Sequence, residues 1–356
     1  MMTTGLVRCI LLSVLLMSAG YADTYQPKID LGPWAKGVKI QPGAKFAGKR
    51  LWGSEIVGQD LTGASFDDCN LQGVALRQCK LQKATFRRAI LDGFCLDDCE
   101  LGDNEFTDAV LNGFMGGFQG FPLTLEQFKS SWSYKNRDLS RCEIRIKSDR
   151  NLPLDLDFRG FKLIKTRFYG LDLSQTSFEK ASVHEMEMHG CRVSFPQLSK
   201  ASMRLGDCRF ESTEILGDVD LSRRGLQQAV LYGPLKLIAI DDAEIWGMKA
   251  GPWLTGTALE KTKNFRNGCI CFCGFAGTDF SDFDFSGQAL LGTSVGNCNL
   301  ANANFDDAVI SFGSFHSCTN LTVEQIKATW NYRHDRMENV TLPPEIADAL
   351  AAEDNR

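Results

Sequence analysis

The sequence predicts an all-β solenoid, a parallel β-helix with four short sides to each coil. Three observations predict it. The first is a period of five. Phe46, Leu51, Ile56, Leu61, Phe66, Leu71, Leu76, Leu81, Phe86, Leu91, Leu96, Leu101, Phe106 and Leu111 are all large and apolar. At 44% apolar residues overall, such a run arises by chance about once in 10⁵ trials. The second is a period of twenty inside it. Phe46, Phe66, Phe86 and Phe106 form one series, Leu51, Leu71, Leu91 and Leu111 another, and Leu61, Leu81 and Leu101 a third. The third is the residue two places before each centre, which is mostly small: Ala64, Cys69, Val74, Cys79, Ala84, Ala89, Cys99 and Ala109.

A step of five suits neither a helix nor a flat strand. It requires a corner every five residues, and four corners make one square coil. Like residues then stack on like at about 4.8 Å, the spacing of hydrogen-bonded strands. At that spacing phenyl rings form an offset ladder. The second inward position is small because the centre fills a narrow interior. Phe94 and Asn104 depart from this rule, and a buried Asn104 needs a hydrogen-bond partner.

Ala64-Ser65-Phe66-Asp67-Asp68 and Ala303-Asn304-Phe305-Asp306-Asp307 carry a small residue, a polar residue, Phe, then two more. In this the chain resembles the pentapeptide-repeat proteins. The resemblance implies a right-handed quadrilateral parallel β-helix over more than half of the mature chain. It says little about function.

In chain order, residues 1–22 read as an export signal. Arg8 is the basic residue, Cys9 to Met17 is apolar, and Gly20-Tyr21-Ala22 offers small residues for a cut before Asp23. The apolar run is too short to span a membrane, and no later stretch reaches that length; an uncleaved anchor is the alternative. The expected location is periplasmic or extracellular. Without Arg8 the balance is 38 basic against 44 acidic residues, or −6, which implies solubility more than any partner. Residues 23–43, with Pro27, Pro33 and Pro42, form a lead-in that covers the first coil.

Residues 44–144 hold the first coils, interrupted after Leu111 by the glycine-rich Gly113 to Gly120. A short helix is predicted over 123–134, because Thr124 and Gln127 form a capping box. Leu321-Thr322-Val323-Glu324-Gln325, followed by Trp330 and Tyr332, repeats the same words. Seven of twelve positions are identical at an offset of 198, which argues for an internal duplication with two inserted α-helices. Residues 145–320 hold the second coils. Phe158, Leu163, Phe168, Leu173, Phe178, Val183, Met188, Val193, Leu198 and Met203 keep the step, with Pro196 at one small position. The step slips over 206–256, where a distorted or looped-out section is expected. Strict fives return from Phe265 to Phe315, with Phe265, Phe285 and Phe305 as a second ladder. Residues 321–356 hold the second helix, a final partial coil and, after Pro343-Pro344, an acidic tail expected to fray.

No set of acid, base, nucleophile or metal ligands converges on this frame. The expected catalytic, cofactor and metal residues are therefore none. Cys79 with Cys99, and Cys298 with Cys318, are twenty apart and near enough in Cα position for disulfides, but parallel inward side chains favour free thiols. In Cys269, Cys271 and Cys273, alternation turns Cys273 inward and the others outward, a poor metal site. His184 and His189, five apart, fall on neighbouring sides. Gly292-Thr293-Ser294-Val295-Gly296 matches a nucleophile elbow, but Val295 is a coil centre and no strand-to-helix turn is expected. Asn320 and Asn339 head glycosylation acceptors that matter only in a eukaryotic host.

The outer charges alternate in sign: Asp68, Arg88 and Asp108 share a column, Asp67 lies below Arg87, Arg77 below Asp97 and Lys80 below Glu100. Some proteins of the resembled family imitate DNA with a continuous negative surface and occupy a topoisomerase; alternation cancels such a field. From Asn267 to Ile326 there is no Lys or Arg, while Asp279, Asp282, Asp284, Asp306 and Asp307 are present. These aspartates, with Trp132 and Trp330 on the inserted helices, are the candidate interaction surface; a plain solvated face and a packing brace are the alternatives. The leading expectation is a non-catalytic exported scaffold that binds an unknown protein partner, with no nucleic acid, no cofactor and no membrane span after signal removal. The alternatives are a DNA-mimic topoisomerase-binding module and an enzyme with its site in 206–256.

Overall fold

The computed structural model describes residues 28–30, 39–113, 115–116, 123–147 and 152–354. The segment 1–22 and most of 23–43 lie outside them, as does most of Gly113 to Gly120.

Each apolar centre is followed by a turn. The N–H of the next small residue closes it onto the carbonyl of the centre, as Ala64 closes onto Leu61 and Ala84 onto Leu81, both at 2.9 Å. The third turn residue takes a positive φ: 67° at Gly63, 56° at Asp68, 60° at Lys83. Glycine meets that conformation without steric cost, and Asp tolerates it.

Coils join by parallel pairing, commonly one every twenty residues. Ile56 faces Leu76, which faces Leu96. Leu163, Val183 and Met203 are paired in series on one side. Phe168, Met188 and Phe210 are paired on the next. The result is a right-handed quadrilateral β-helix. Most of its centres from Phe46 to Phe315 are buried, with Leu101 and Met203 partly covered. Phe46, Phe66, Phe86 and Phe106 stack at successive centroid distances of 4.6, 5.0 and 5.1 Å, with interplanar angles of 2°, 5° and 5°. Phe285 and Phe305 stack at 5.1 Å and 13°.

The second inward position also tolerates short polar groups, because a carbonyl of the adjoining coil lies within reach. The Cys69 thiol donates to the Phe46 carbonyl at 2.8 Å, and the Thr293 hydroxyl to that of Ile270 at 2.9 Å. Asn104 finds the partners it requires: its Nδ2 donates to the Leu81 and Ala84 carbonyls at 2.6 and 3.0 Å, and its Oδ1 accepts the Gly102 N–H at 3.0 Å.

The coil runs form one continuous stack. The Asp108 N–H reaches the Ser130 carbonyl at 2.9 Å, Trp132 reaches Ala109 at 3.0 Å, and Leu139 reaches Lys162 at 3.0 Å. The first insertion is a pair of short helices, Leu125–Ser130 and Trp132–Lys135, not one helix. Its copy is Val323–Lys327 with Trp330–Arg333. Both carry the capping box, Thr124 with Gln127 and Thr322 with Gln325.

Four details differ from the sequence reading. A third helical pair, Gly256–Leu259 and Lys263–Arg266, stands where none was expected. Phe265 therefore lies in a helix and meets Phe283 at 5.4 Å and 55°, instead of stacking on Phe285; the regular run begins at Ile270. Phe265 sits one step of five before Ile270, so periodicity alone includes it. The section 206–256 is distorted but not looped out: Phe210, Leu231, Ala250 and Phe275 pair in series within the wall, and the slip is absorbed by a bulged pairing of Glu214–Asp220 with Leu235–Ala239. The tail does not fray. Helix Pro344–Asp354 buries Ile346 and Leu350 and packs on Val323–Lys327, closing that end of the stack. At the other end Lys28–Asp30 pairs antiparallel with Glu55–Val57.

Candidate functional site

The tube is filled by its own centres, so what it offers a partner lies outside. The residues before and after each centre point outward and form columns one coil apart. Asp67 Oδ1 accepts the Arg87 N–H at 3.0 Å, and Oδ2 accepts its Nε at 2.9 Å. Burial pushes the Asp67 carboxyl up, but bonds from Arg87 and Thr85 outweigh it and hold the group below the usual carboxylate range. Arg88 pairs with Asp68 at 2.7 Å, and Arg77 with Asp97 at 2.5 Å. Glu100 accepts from Gln82 at 2.8 Å. Arg167 lies between Glu143 and Glu187, at 3.1 and 3.3 Å, and Arg192 between Asp172 and Glu214, at 3.1 and 2.6 Å. Where both partners are half-exposed, as in Arg88–Asp68, such a pair adds little to stability. The main effect of these pairs is to cancel the field.

Three aspartates of the third run sit in similar columns, opposite amides instead of cations. Asp279, Asp282 and Asp284 accept from Asn299, Asn302 and Asn304 at 2.9, 3.1 and 3.0 Å. Asp279 and Asp284 are held below the usual carboxylate range by the turn bonds from Ser281 and Ser286. Asp306 and Asp307 face Arg333 at 3.5 and 2.7 Å.

The three helical pairs emerge from the same corner of the square. In each, the first residue of the second helix donates its N–H to an alanine carbonyl of the coil below: Trp132 to Ala109, Lys263 to Ala243, Trp330 to Ala308, all at 3.0 Å. In each, the next side chain accepts a wall N–H. Ser133 takes that of Leu111 at 2.9 Å, while Asn264 and Asn331 take those of Ile245 and Ile310 at 2.7 Å. The backbone at Trp132 and Trp330 is thus fixed to the wall, yet the side chains stand 41% and 37% exposed. Trp132 continues the outward column of half-covered Val110 and exposed Ile90, and Trp330 that of Ala289 and Val309. The His334 ring stacks on Trp330 at 4.4 Å.

His184 and His189 lie on separate sheets, as their spacing implies: His184 faces Asp207 at 3.2 Å, and His189 stacks on Tyr169 at 4.9 Å. Between the Met203 and Leu226 coils one ladder opens into a groove of about 400 Å³ lined by Arg204, Leu205, Gly206, Asp207, Arg224 and Gln227. Three of its polar groups are engaged within the wall. Asp207 is held by His184, Gln227 donates to Glu244 at 2.5 Å, and the Arg224 Nε donates to the Asp220 carbonyl at 3.2 Å. No group of three or more His, Cys, Asp or Glu able to hold a metal occurs among the described residues. Val295 of the elbow-like string is a buried centre on strand Ser294–Gly296, with no following helix. No helix among the described residues is long and apolar enough to cross a membrane.

The family model for pentapeptide repeats matches residues 60–98, in eight copies. The chain carries pentapeptide repeats. No curated protein matches its sequence. Among solved structures it is similar to a trypsin-treated form of QnrB1, a plasmid-mediated fluoroquinolone resistance protein, at 12% identity over 85% of this chain and 96% of that one, with a TM-score of 0.20. It is also similar to HetL, a pentapeptide repeat protein involved in heterocyst differentiation regulation from the cyanobacterium Nostoc sp. strain PCC 7120. That match has 19% identity over 76% of this chain and 89% of that one, with a TM-score of 0.19. Superposition at these scores is poor; the assignment rests on the repeats and the coil geometry.

Two features of this repeat protein escaped the sequence reading. One is the third helical pair. Leu254-Thr255 repeats Leu123-Thr124 and Leu321-Thr322, and Thr262 follows Thr255 at the spacing by which Thr329 follows Thr322. The other is an aromatic corner. Trp246, Phe272 and Phe312 are 41%, 48% and 62% exposed, and Trp246 meets Phe272 at 5.5 Å. Phe272 and Phe312 hold φ of 60° and 58° at a turn position where most coils place Gly, Asp or Asn. A Cβ on Gly292 would lie 2.7 Å from the Phe272 ring, so that ring rests on bare backbone.

Proposed function

We propose that this protein is a non-catalytic scaffold, exported from the cytoplasm, that holds a protein partner along the corner bearing its helical pairs. One observation carries the reading. Trp132 and Trp330 occupy equivalent sites 198 residues apart, and each presents a half-exposed indole beside an apolar column on a backbone pinned to the wall. Large aromatics on a rigid support, surrounded by self-paired polar residues, are the usual anchors of protein interfaces. The acidic columns around Asp279, Asp282, Asp284, Asp306 and Asp307 adjoin the Trp330 end and favour a partner with basic groups at its rim. Cancelling charge ladders weigh against a DNA-mimic role, and the engaged polar groups of the 203–227 groove weigh against an enzyme. Export rests on the composition of residues 1–22.

The test is a photo-crosslinking residue placed at 132, at 330 and, on another corner, at exposed Gln78, in native cells that are then fractionated. The reading expects the same adduct from 132 and 330, none from 78, and a mature chain beginning at Asp23 outside the cytoplasm. Absence of adducts from both tryptophan sites refutes the docking role. A cytoplasmic chain that retains Met1 refutes export. Inhibition of gyrase supercoiling by the purified protein at micromolar concentration would instead favour the DNA-mimic role.

A further inference from the structure

At a coil corner the residues flanking a centre both face outward and meet. The fold shows this wherever the first of them is an aspartate. Asp60 accepts the Thr62 N–H at 3.0 Å, Asp138 that of Ser140 at 3.1 Å, and Asp279 that of Ser281 at 3.0 Å. Around the buried centre Ile270 the same two positions hold Cys269 and Cys271, and their sulfurs lie 2.7 Å apart. The corner brings the two side chains together.

Most other cysteines are turned inward and engaged. Cys273, in the same C-x-C-x-C string, donates to the Ile245 carbonyl at 3.1 Å, and Cys318 to that of Val295 at 3.0 Å. Burial pushes Cys273 up to about 12, and Cys69 and Cys318 up to about 11. Such thiols are poor nucleophiles.

We propose that Cys269 and Cys271 form a reversible redox site, a dithiol oxidised to an intrachain disulfide by a small disulfide of the glutathione type. Cys269 is the more exposed of the two and reacts first. Its thiolate attacks one sulfur of the oxidant; the oxidant S–S bond breaks and one thiol leaves with a proton. Cys271 then attacks the Cys269 sulfur of the mixed disulfide, and the second thiol leaves. Two protein S–H bonds and one oxidant S–S bond become one protein S–S bond and two thiols. Two electrons and two protons have passed to the oxidant. Burial, and after it the adjoining Cys269 sulfur, pushes the Cys271 thiol up to about 11; capture of Cys269 in the mixed disulfide removes the second cause and leaves Cys271 in contact with the sulfur it attacks.

The ring so closed spans Ile270 alone. It constrains the unfolded chain little, and its tightness makes it easy to reduce. Its use is therefore switching, not stapling. The site is also well placed to be felt, because Cys269 is where the helical pair Gly256–Leu259 and Lys263–Arg266 rejoins the wall: its N–H bonds the Asn264 carbonyl at 3.0 Å, and it is bridged to Ala289.

The test equilibrates the whole native protein in a series of reduced and oxidised glutathione mixtures, blocks free thiols by alkylation, and maps the peptides by mass. The peptide holding Cys269 and Cys271 should become two hydrogens lighter and unalkylated before any other cysteine changes. C271S should trap glutathione on Cys269, and C269S should trap far less on Cys271. The proposal is overturned if both residues stay alkylated across the series, or if Cys79 and Cys99 oxidise first. The wild-type map decides the matter even if a variant fails to fold.

Discussion

Replacing Phe66 by alanine tests the stacked interior most directly. Its ring is fully buried between Phe46 at 4.6 Å and Phe86 at 5.0 Å, nearly parallel to both. Truncating a buried Phe costs about 3–5 kcal/mol, and each lost ring stack adds about 0.5–1.5 kcal/mol. The gap cannot close, because the flanking strands are bridged in register, Lys45 to Ser65 and Ser65 to Thr85. Phe66→Ala should therefore cost about 5 kcal/mol. Phe66→Leu keeps most of the volume and resembles the neighbouring leucine series, so it should cost about 1–2 kcal/mol, chiefly the two stacks. Urea unfolding measures both, and amide exchange over 44–113 reports whether loss is confined to adjoining coils, as a stack of nearest-neighbour units implies. A cost below about 2 kcal/mol for Phe66→Ala, or equal costs for the two variants, would refute the ladder as a source of stability.

Three further outcomes follow from particular groups. Asn104→Ala removes two donated bonds and orphans the Gly102 N–H; it should cost about 2–3 kcal/mol in the same unfolding assay. Asp67, Asp138 and Asp157 all titrate below the usual carboxylate value in the folded chain. Their contribution is therefore full above the unfolded value near pH 4 and is lost as pH falls through the folded ones; the urea midpoint should drop on acidification below about pH 4, and less steeply in Asp67→Asn. Phe272→Asn and Phe312→Asn relieve positive φ at exposed turns and should each raise stability by a few tenths to about 1 kcal/mol in thermal melts.

The fold was legible because one coil side is five residues and one lap is twenty, so each buried centre announces its register. Asn104 was legible for the same reason: a polar residue in a small slot had to find a carbonyl, and it did. The third helical pair was hidden because Lys263 stands where Trp132 and Trp330 stand, and because Phe265 falls by coincidence on the five-step. The tail helix was misjudged because a short acidic segment looks free until Ile346 and Leu350 find the open end of the stack. The surface was least legible. Whether Asp279 meets a cation or an amide depends on the residue one lap later, here Asn299, and the aromatic corner shows only when turn positions are compared across laps.

The way the helical pairs join the wall bears on how such a tube can lengthen or diversify. Each leaves and returns through one alanine carbonyl and one accepting side chain, with the strands above and below still in step. That corner behaves as a socket: sequence can be spliced in or trimmed there without disturbing the winding. Divergence between the Trp132 and Lys263 copies is then free to retune what each plug offers the outside, while the barrel behind it stays unchanged.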